Sequence, residues 1–313
     1  MLNRRHIRIK VLQTIYAMHQ SGSEDLDLNQ KFLYQNIENI QDLYLLMLTA
    51  LIEIRKKEAI FLEKSSKKHL ASKEELNPNT KFADNTLLLS LENNTSVLRA
   101  IEDRKFDLWE QNDDYINLLW ETVRKSDIYT EYLASPMRNF QHDKDFVVHI
   151  FSELIAPNDK LYDYLEDQKL SWVDDIPVVN TLILKQLKQC KNEDFSWEVP
   201  GVYKDFEDKD FAKELYRKTL LNEITFTKEF SDKTPNWDME RIAEVDTIIL
   251  KMAICEFHKF PSIPVKVTIN EYLEIAKEYS TPKSSIFING ILDNLIKEYQ
   301  TKNILKKSGR GLM

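Results

Sequence analysis

Glycine is scarce in this chain: five residues in 313, under 2% against a usual share of about 7%. The shortage excludes whole classes of site. Neither G-x-G-x-x-G nor G-x-x-x-x-G-K-[ST] can be written, so the common glycine-rich phosphate cradles are absent. No G-x-S-x-G elbow and no H-E-x-x-H pair occurs either. Two cysteines, Cys190 and Cys255, are too few for a disulfide framework or a metal cluster. Both sit in apolar helical contexts and read as buried thiols. No run of about 18 apolar residues exists, so no membrane span is expected and the protein reads as cytoplasmic. Few glycines and nine prolines also leave little turn chemistry for an all-β fold.

What is present is a core and a great deal of charge. Hydrophobic residues make up 42% and charged residues 30%, which fits a folded globular chain. The net charge is −8, but it is unevenly spread. Residues 1–20 hold Arg4, Arg5, Arg8 and Lys10 without an acid, and residues 299–313 hold Lys302, Lys306, Lys307 and Arg310 without an acid. Setting aside those eight cations leaves 35 basic against 51 acidic residues, a balance of −16. Basic ends on an acidic body point to a local anionic partner; chance basic tails are the alternative.

Nearly every apolar pattern has the helical period, and the expected fold class is all-α. Ile7, Val11, Ile15 and Met18 form one stripe, and Ile40, Leu43, Tyr44, Met47, Leu48, Leu51 and Ile54 a stronger one. Residues 65–85, polar and with Pro78, read as a connection, and 86–133 as two or three helices. An echo follows. Asp143-Lys-Asp-Phe146 matches Asp208-Lys-Asp-Phe211, and each Phe stands 26 residues before a tryptophan, Trp172 or Trp237. Further on, Asp238 is expected to cap a helix running to about Lys259, with Glu240 and Glu244 near its positive end. Phe260–Val265 is an extended link because of its two prolines. Thr268-Ile-Asn-Glu271 reads as a capping box, with its helix ending near Tyr279. Ser280 or Thr281 should cap the last helix, with Pro282 in the first turn and Phe287, Ile291 and Leu295 on the core face. Gly290 inside that helix is expected to permit close backbone approach.

Two groups of residues carry functional chemistry. Arg5, Arg8, Leu12 and Tyr16 step by 3, 4 and 4, lining one stripe with two guanidiniums and a phenol. Guanidinium forks match phosphate oxygens, and an aromatic offers a stacking face to an unpaired base. The competing reading is a basic helix start with Tyr16 in the core. The second group, Tyr279-Ser-Thr-Pro-Lys283-Ser-Ser285, combines free backbone N–H groups, hydroxyls and a lysine at a helix start, a ready anion site; an ordinary solvated cap is the alternative. The six histidines share no ligand-like spacing, no catalytic set converges, and no metal or cofactor is expected.

Residues 236–299 resemble the transcription antitermination factor NusB family. The matching stretches are Asn236–Asp246, Ile249–Glu256, Ile263–Glu271, Glu274–Lys277 and Phe287–Asp293, and Arg4–Tyr16 looks like the family's opening R-x-x-R…Q-x-L-Y helix. The resemblance implies two small helical subdomains, binding of single-stranded boxA-type RNA from ribosomal RNA operons, and partnership with the ribosomal protein NusE in the transcription elongation complex. By position it implies that Arg4, Arg5, Arg8 and Tyr16 face RNA, with Tyr279, Lys283, Phe287 and Asn289 as a second RNA-facing element. Asp246 matches an acidic position near the partner surface. Family members often carry an acid where Lys283 stands. The family core is about half this length, so the chain divides as NusB-like helices 1–60, a helical insert 61–207, a NusB-like C-terminal domain 208–300 and a basic tail 301–313. An RNA-binding factor without enzymatic activity is the leading expectation. A protein-interaction scaffold with weak RNA binding, or a module linked to ribosomal RNA methyltransferase function, are the alternatives.

Overall fold

The computed structural model describes residues 1–105, 108–231, 233 and 242–308. Among them are sixteen α-helices and no strand. In chain order these are α1 (Arg4–Gln20), α2 (Leu26–Ser66), α3 (Lys73–Leu76), α4 (Thr86–Glu92), α5 (Thr95–Arg104), α6 (Leu108–Gln111), α7 (Asp113–Arg124) and α8 (Asp127–Ala134). They continue as α9 (Phe140–Ile150), α10 (Asp159–Gln168), α11 (Ile176–Gln189), α12 (Phe206–Leu221), α13 (Glu223–Ser231), α14 (Glu244–Lys259), α15 (Val265–Tyr279) and α16 (Ser284–Thr301). The segment read as two or three helices, 86–133, holds five short ones, of which α4, α5 and α8 are restarted by Asn85, Asn94 and Ser126 as side-chain caps.

The helices form two compact units: Met1–Ile37 with Val202–Met313, and Glu38–Gly201. Sequence reading puts the breaks at 60/61 and 207/208. The first structural break instead falls inside α2, where the apolar pattern runs on without a glycine or proline to mark it.

In the first unit α14 is central. Eleven of its residues are buried, from Asp246 and Ile248 to Phe257, which is the pattern of a helix enclosed on most sides. Helices α1, α12, α15 and α16 pack around it. Helix α1 turns Ile7, Val11 and Ile15 inward, each at most 1% exposed. Its start is fixed by Asn3, whose side chain accepts from the His6 amide at 3.0 Å while the His6 ring accepts from the Asn3 amide. The last described residues close the far end of α14: the Lys307 ammonium donates to the carbonyls of Glu256 and Phe260 at 2.8 and 2.9 Å, and burial pushes it down to about 8.

Three expectations need correction here. Helix α15 opens at Val265 behind Pro264, not at a Thr268 capping box. Proline at φ −62° and ψ 143° sets the chain to enter the helix, and Thr268 is a fully buried interior residue whose hydroxyl donates to Glu256. Helix α16 begins at Ser284, after Pro282, and neither Ser280 nor Thr281 caps it; both hydroxyls bond instead to Ser284 Oγ at 2.9 Å. Gly290 is exposed and a Cβ there would meet nothing within 4 Å, so it accommodates no close backbone. Of the last helix's expected core face, Ile291 and Leu295 are buried and Phe287 half-buried. Trp237, Asp238, Glu240 and Arg310 lie outside the described residues.

In the second unit, α9 packs on α4, α8 and α11. Trp172 is completely buried, its indole N–H donating to the Asn39 carbonyl at 2.8 Å. Glu58, 1% exposed, accepts from the Trp120 indole at 2.8 Å and the Tyr129 hydroxyl at 2.7 Å.

The D-K-D-F echo has a structural counterpart within each unit. Asp143, near the start of α9, is buried and accepts from the amide and hydroxyl of Thr86 at 2.8 Å, fastening the start of α4. Asp208, near the start of α12, is buried and accepts from Arg4 Nε at 3.0 Å, fastening the start of α1. Phe146 and Phe211, three residues on, are both in the core. Cys190 and Cys255 are buried and free.

Candidate nucleic-acid interface

The amino-terminal helix begins with cations where the helix dipole is already positive, and no acid stands in its first turn. Acids from other helices compensate. Arg4 pairs with Asp208, with Glu207 at 3.6 Å. Arg5 makes a two-pronged contact with Glu271 of α15: Nε to Oε2 at 2.9 Å and Nη2 to Oε1 at 3.0 Å. That bond raises the Arg5 pKa above its ordinary value. Both side chains remain about 40% exposed. They open onto a cleft of about 500 Å³ that also takes in Asn3, Ser262, Pro264 and Glu271.

Arg8 stands differently from the sequence expectation. It is 2% exposed. Nε and Nη2 donate to the two carboxylate oxygens of Glu256 at 2.6 and 2.9 Å, and the guanidinium lies 5.2 Å from the Phe211 ring centre. Glu256, fully buried, also accepts from Thr268 at 3.1 Å and Tyr272 at 2.8 Å. Burial opposes the Arg8 charge, but the Glu256 pair outweighs it and raises the pKa. This is a satisfied internal ion pair joining α1, α14 and α15, not an outward-facing fork. Its sequence signal was available: Glu256 is the one acid in the apolar run Met252-Ala-Ile-Cys-Glu-Phe257, and a lone acid there needs a buried partner.

Tyr16 is 39% exposed, outside the core. It follows Arg5 by eleven residues, about 16 Å along the helix axis. Past it, Gln20 and His19 reach Glu244 in the first turn of α14. Two residues on, Asp246 accepts from Ser284 Oγ at 2.7 Å, at the start of α16. The first turn of α14 therefore links the Tyr16 end of α1 to the Lys283 turn. Lys283 is exposed, whereas Tyr279, Phe287 and Asn289 are half-buried. Asn289 makes a long contact of 3.4 Å with Asp293. Asp246 is only 5% exposed, so it holds the α16 start from within.

His19 joins two acids. Its ring nitrogens lie 3.2 Å from Glu223 and 3.0 Å from Glu244. The Glu223 bond raises its pKa above 6.5, while burial and nearby Lys251 oppose this. Glu223, bonded to His19 and Lys251, falls to about 2. A raised folded-state pKa stabilises fully below about 6.5 and is lost as pH rises through the folded value. Urea midpoints of His19→Gln on either side of pH 6.5 should lack the wild-type decline attributable to this bridge. An identical pH dependence in the variant counts against it.

Comparisons with known proteins bear on part of this site, the family match taking in α14 and α15 and most of α16 but not α1. The profile of the NusB family matches residues 181–297. The transcription antitermination protein NusB of Salinibacter ruber is 40% identical over 105 residues, 34% of this chain and 66% of that protein. The protein of the same name from Chloroherpeton thalassium is 40% identical over 112 residues, 36% of this chain and 53% of its own length. That of Dictyoglomus turgidum is 35% identical over 125 residues, 39% of this chain and 87% of its own length. The chain belongs to the NusB family. Its match spans just under two thirds and about half of the first two relatives. No solved structure matches. The NusB-family match begins within α11 and runs into α16. Among the described residues no helix is long and apolar enough to cross a membrane, and no cluster of three metal-ligating side chains occurs.

Proposed function

We propose that the protein is a non-enzymatic, RNA-binding transcription antitermination factor acting on boxA-type single-stranded RNA of ribosomal RNA operons, with ribosomal protein NusE as partner in the elongation complex. The observation that carries this reading is on α1: two half-exposed arginines at a cleft and an exposed tyrosine about 16 Å further along one helix. The arginines supply phosphate contacts and the tyrosine a stacking face. Lys283, with Tyr279, Phe287 and Asn289 around it, forms the second RNA-facing element, which Asp246 positions through Ser284. Arg8 acts through Glu256 by holding α1 in place. The matched relatives' name, transcription antitermination protein, supports the same reading.

Binding of a boxA-like RNA across a salt series tests it. Arg4→Gln/Arg5→Gln should weaken binding and make the log–log salt slope shallower by about 0.7 per lost phosphate contact. Unchanged affinity and slope would remove α1 from the interface.

A further inference from the structure

Two stretches of the first unit carry cations without an acid. Residues 257–270 hold His258, Lys259 and Lys266, and residues 299–308 hold Lys302, Lys306 and Lys307. The fold lays one on the other. Helix α16 ends at Thr301, and Asn303, at φ 53°, turns the chain back; Asn is one of the residues that accept this left-handed position after a helix. The Asn303 and Ile304 amides donate to the carbonyls of Gln300 and Tyr299 at 3.1 and 2.9 Å, which closes the reversal. The tail then crosses the end of α14. Lys307 is engaged by the Glu256 and Phe260 carbonyls, and the Ser308 amide donates to the Pro261 carbonyl at 3.0 Å.

The link between α14 and α15 therefore touches two things. Its Phe260 and Pro261 carbonyls hold the tail. Its next residues, Ser262, Ile263 and Pro264, line the cleft onto which Arg4 and Arg5 open. Helix α15 starts beside that cleft with no acid in its first turn, no side-chain cap, and Lys266 as its second residue, so the positive end of its dipole is left uncompensated. The acids bonded into this region have cations of their own: Glu271 has Arg5, Glu274 has Lys277, Glu214 has Lys218, and Glu298 has Lys233 and Lys302. Lys259, Lys266 and Lys306 are exposed, and none has an acidic partner among the described residues. The surplus is three ammonium groups on a surface continuous with the cleft. An ammonium is a point charge that suits phosphate without reading a base.

We propose that single-stranded RNA passing out of the α1 cleft runs on across the α14–α15 link and the folded-back tail, with its phosphates on Lys266, Lys259 and Lys306. The proposal rests on the reading that the α1 cleft binds RNA. It adds a sequence-independent track for the nucleotides that flank the recognised element, and it makes Lys307 the positioning residue that holds the tail in that track.

The test measures the full chain against a boxA-like RNA, alone and with a run of uridines added at its 5′ or its 3′ end. One of the two extensions should tighten wild-type binding and steepen the log–log salt slope by about 2, at about 0.7 for each of three phosphates. Lys259→Gln/Lys266→Gln/Lys306→Gln, which alters only exposed side chains, should lose that gain and bind the unextended RNA as the wild type does. Lys307→Met, which frees the tail and removes no exposed cation, should lose the Lys306 share, about 0.7 of slope. A 4-thiouridine in the added run should crosslink on irradiation to residues 259–266 or 303–308, located by mass spectrometry of the digest. Arg4→Gln/Arg5→Gln should weaken both RNAs, which separates the two readings. If that variant loses binding but neither extension strengthens the wild type, this proposal falls and the α1 interface stands. Equal weakening of both RNAs by the triple variant also overturns it, as does poly-L-glutamate competing for the strip as well as the uridine run does. A chain that binds neither RNA overturns it together with the RNA reading beneath it.

Discussion

Arg8→Ala destabilises the first unit by about 3–5 kcal/mol, the usual cost of leaving one partner of a buried ion pair behind. The argument rests on what remains. Glu256 has no exposed surface and, among the described residues, keeps Thr268 and Tyr272 as side-chain donors. Two charged hydrogen bonds, at 2.6 and 2.9 Å, disappear together, and the Phe211 and Tyr272 rings lose the flat group between them. Urea unfolding read through amide exchange in α14 measures the loss. The double variant Arg8→Met/Glu256→Leu should recover most of it, because a well-packed apolar replacement for a buried pair is often neutral or better. A loss below about 1 kcal/mol for Arg8→Ala, the scale of a surface pair, would show that Glu256 is satisfied some other way.

Trp172→Ala has an effect of similar size on the second unit, about 3–5 kcal/mol for a fully buried large aromatic. The indole also donates to the Asn39 carbonyl and carries Lys169 4.9 Å from its ring centre. Trp172→Phe, which keeps an aromatic ring and loses the donor, should cost much less, near the roughly 1 kcal/mol of one hydrogen bond plus some lost packing. Amide exchange in α2 beyond residue 38 and in α9 reports on that unit. A loss equal in both variants would mean that the hydrogen bond, not the packing, holds the site.

The helical class was legible because the apolar period is long and the chain has too little glycine for much else. The α1 stripe was legible for the same reason: Ile7, Val11, Ile15 and Met18 are all buried. Local punctuation misled where two signals competed. Thr268 and Glu271 carry the letters of a capping box, yet Pro264 starts the helix four residues earlier, leaving Thr268 to serve Glu256. At the candidate site, types and spacing identified the arginines but could not say which one turns inward. Arg5 and Arg8 are equivalent in sequence; their partners, Glu271 and Glu256, lie more than 240 residues away. Tyr16 shows the same limit, since a phenol at helical spacing suits core and surface alike.

The carboxylates that hold Arg4 and Arg5 have a further consequence for recognition. A long side chain gives up about 2 kcal/mol of rotamer freedom when it is fixed. Here Asp208 and Glu271 fix both forks during folding, so an arriving phosphate meets oriented donors instead of ordering them. The same acids compete with that phosphate for the guanidinium edges. In the proposed RNA-binding role, weak anions should be screened out, and a ligand that brings several phosphates, or a stacked base as well, should displace them. If the cleft at the start of α1 binds RNA as proposed, it should work as a threshold filter that favours an extended polyanion over a free ion.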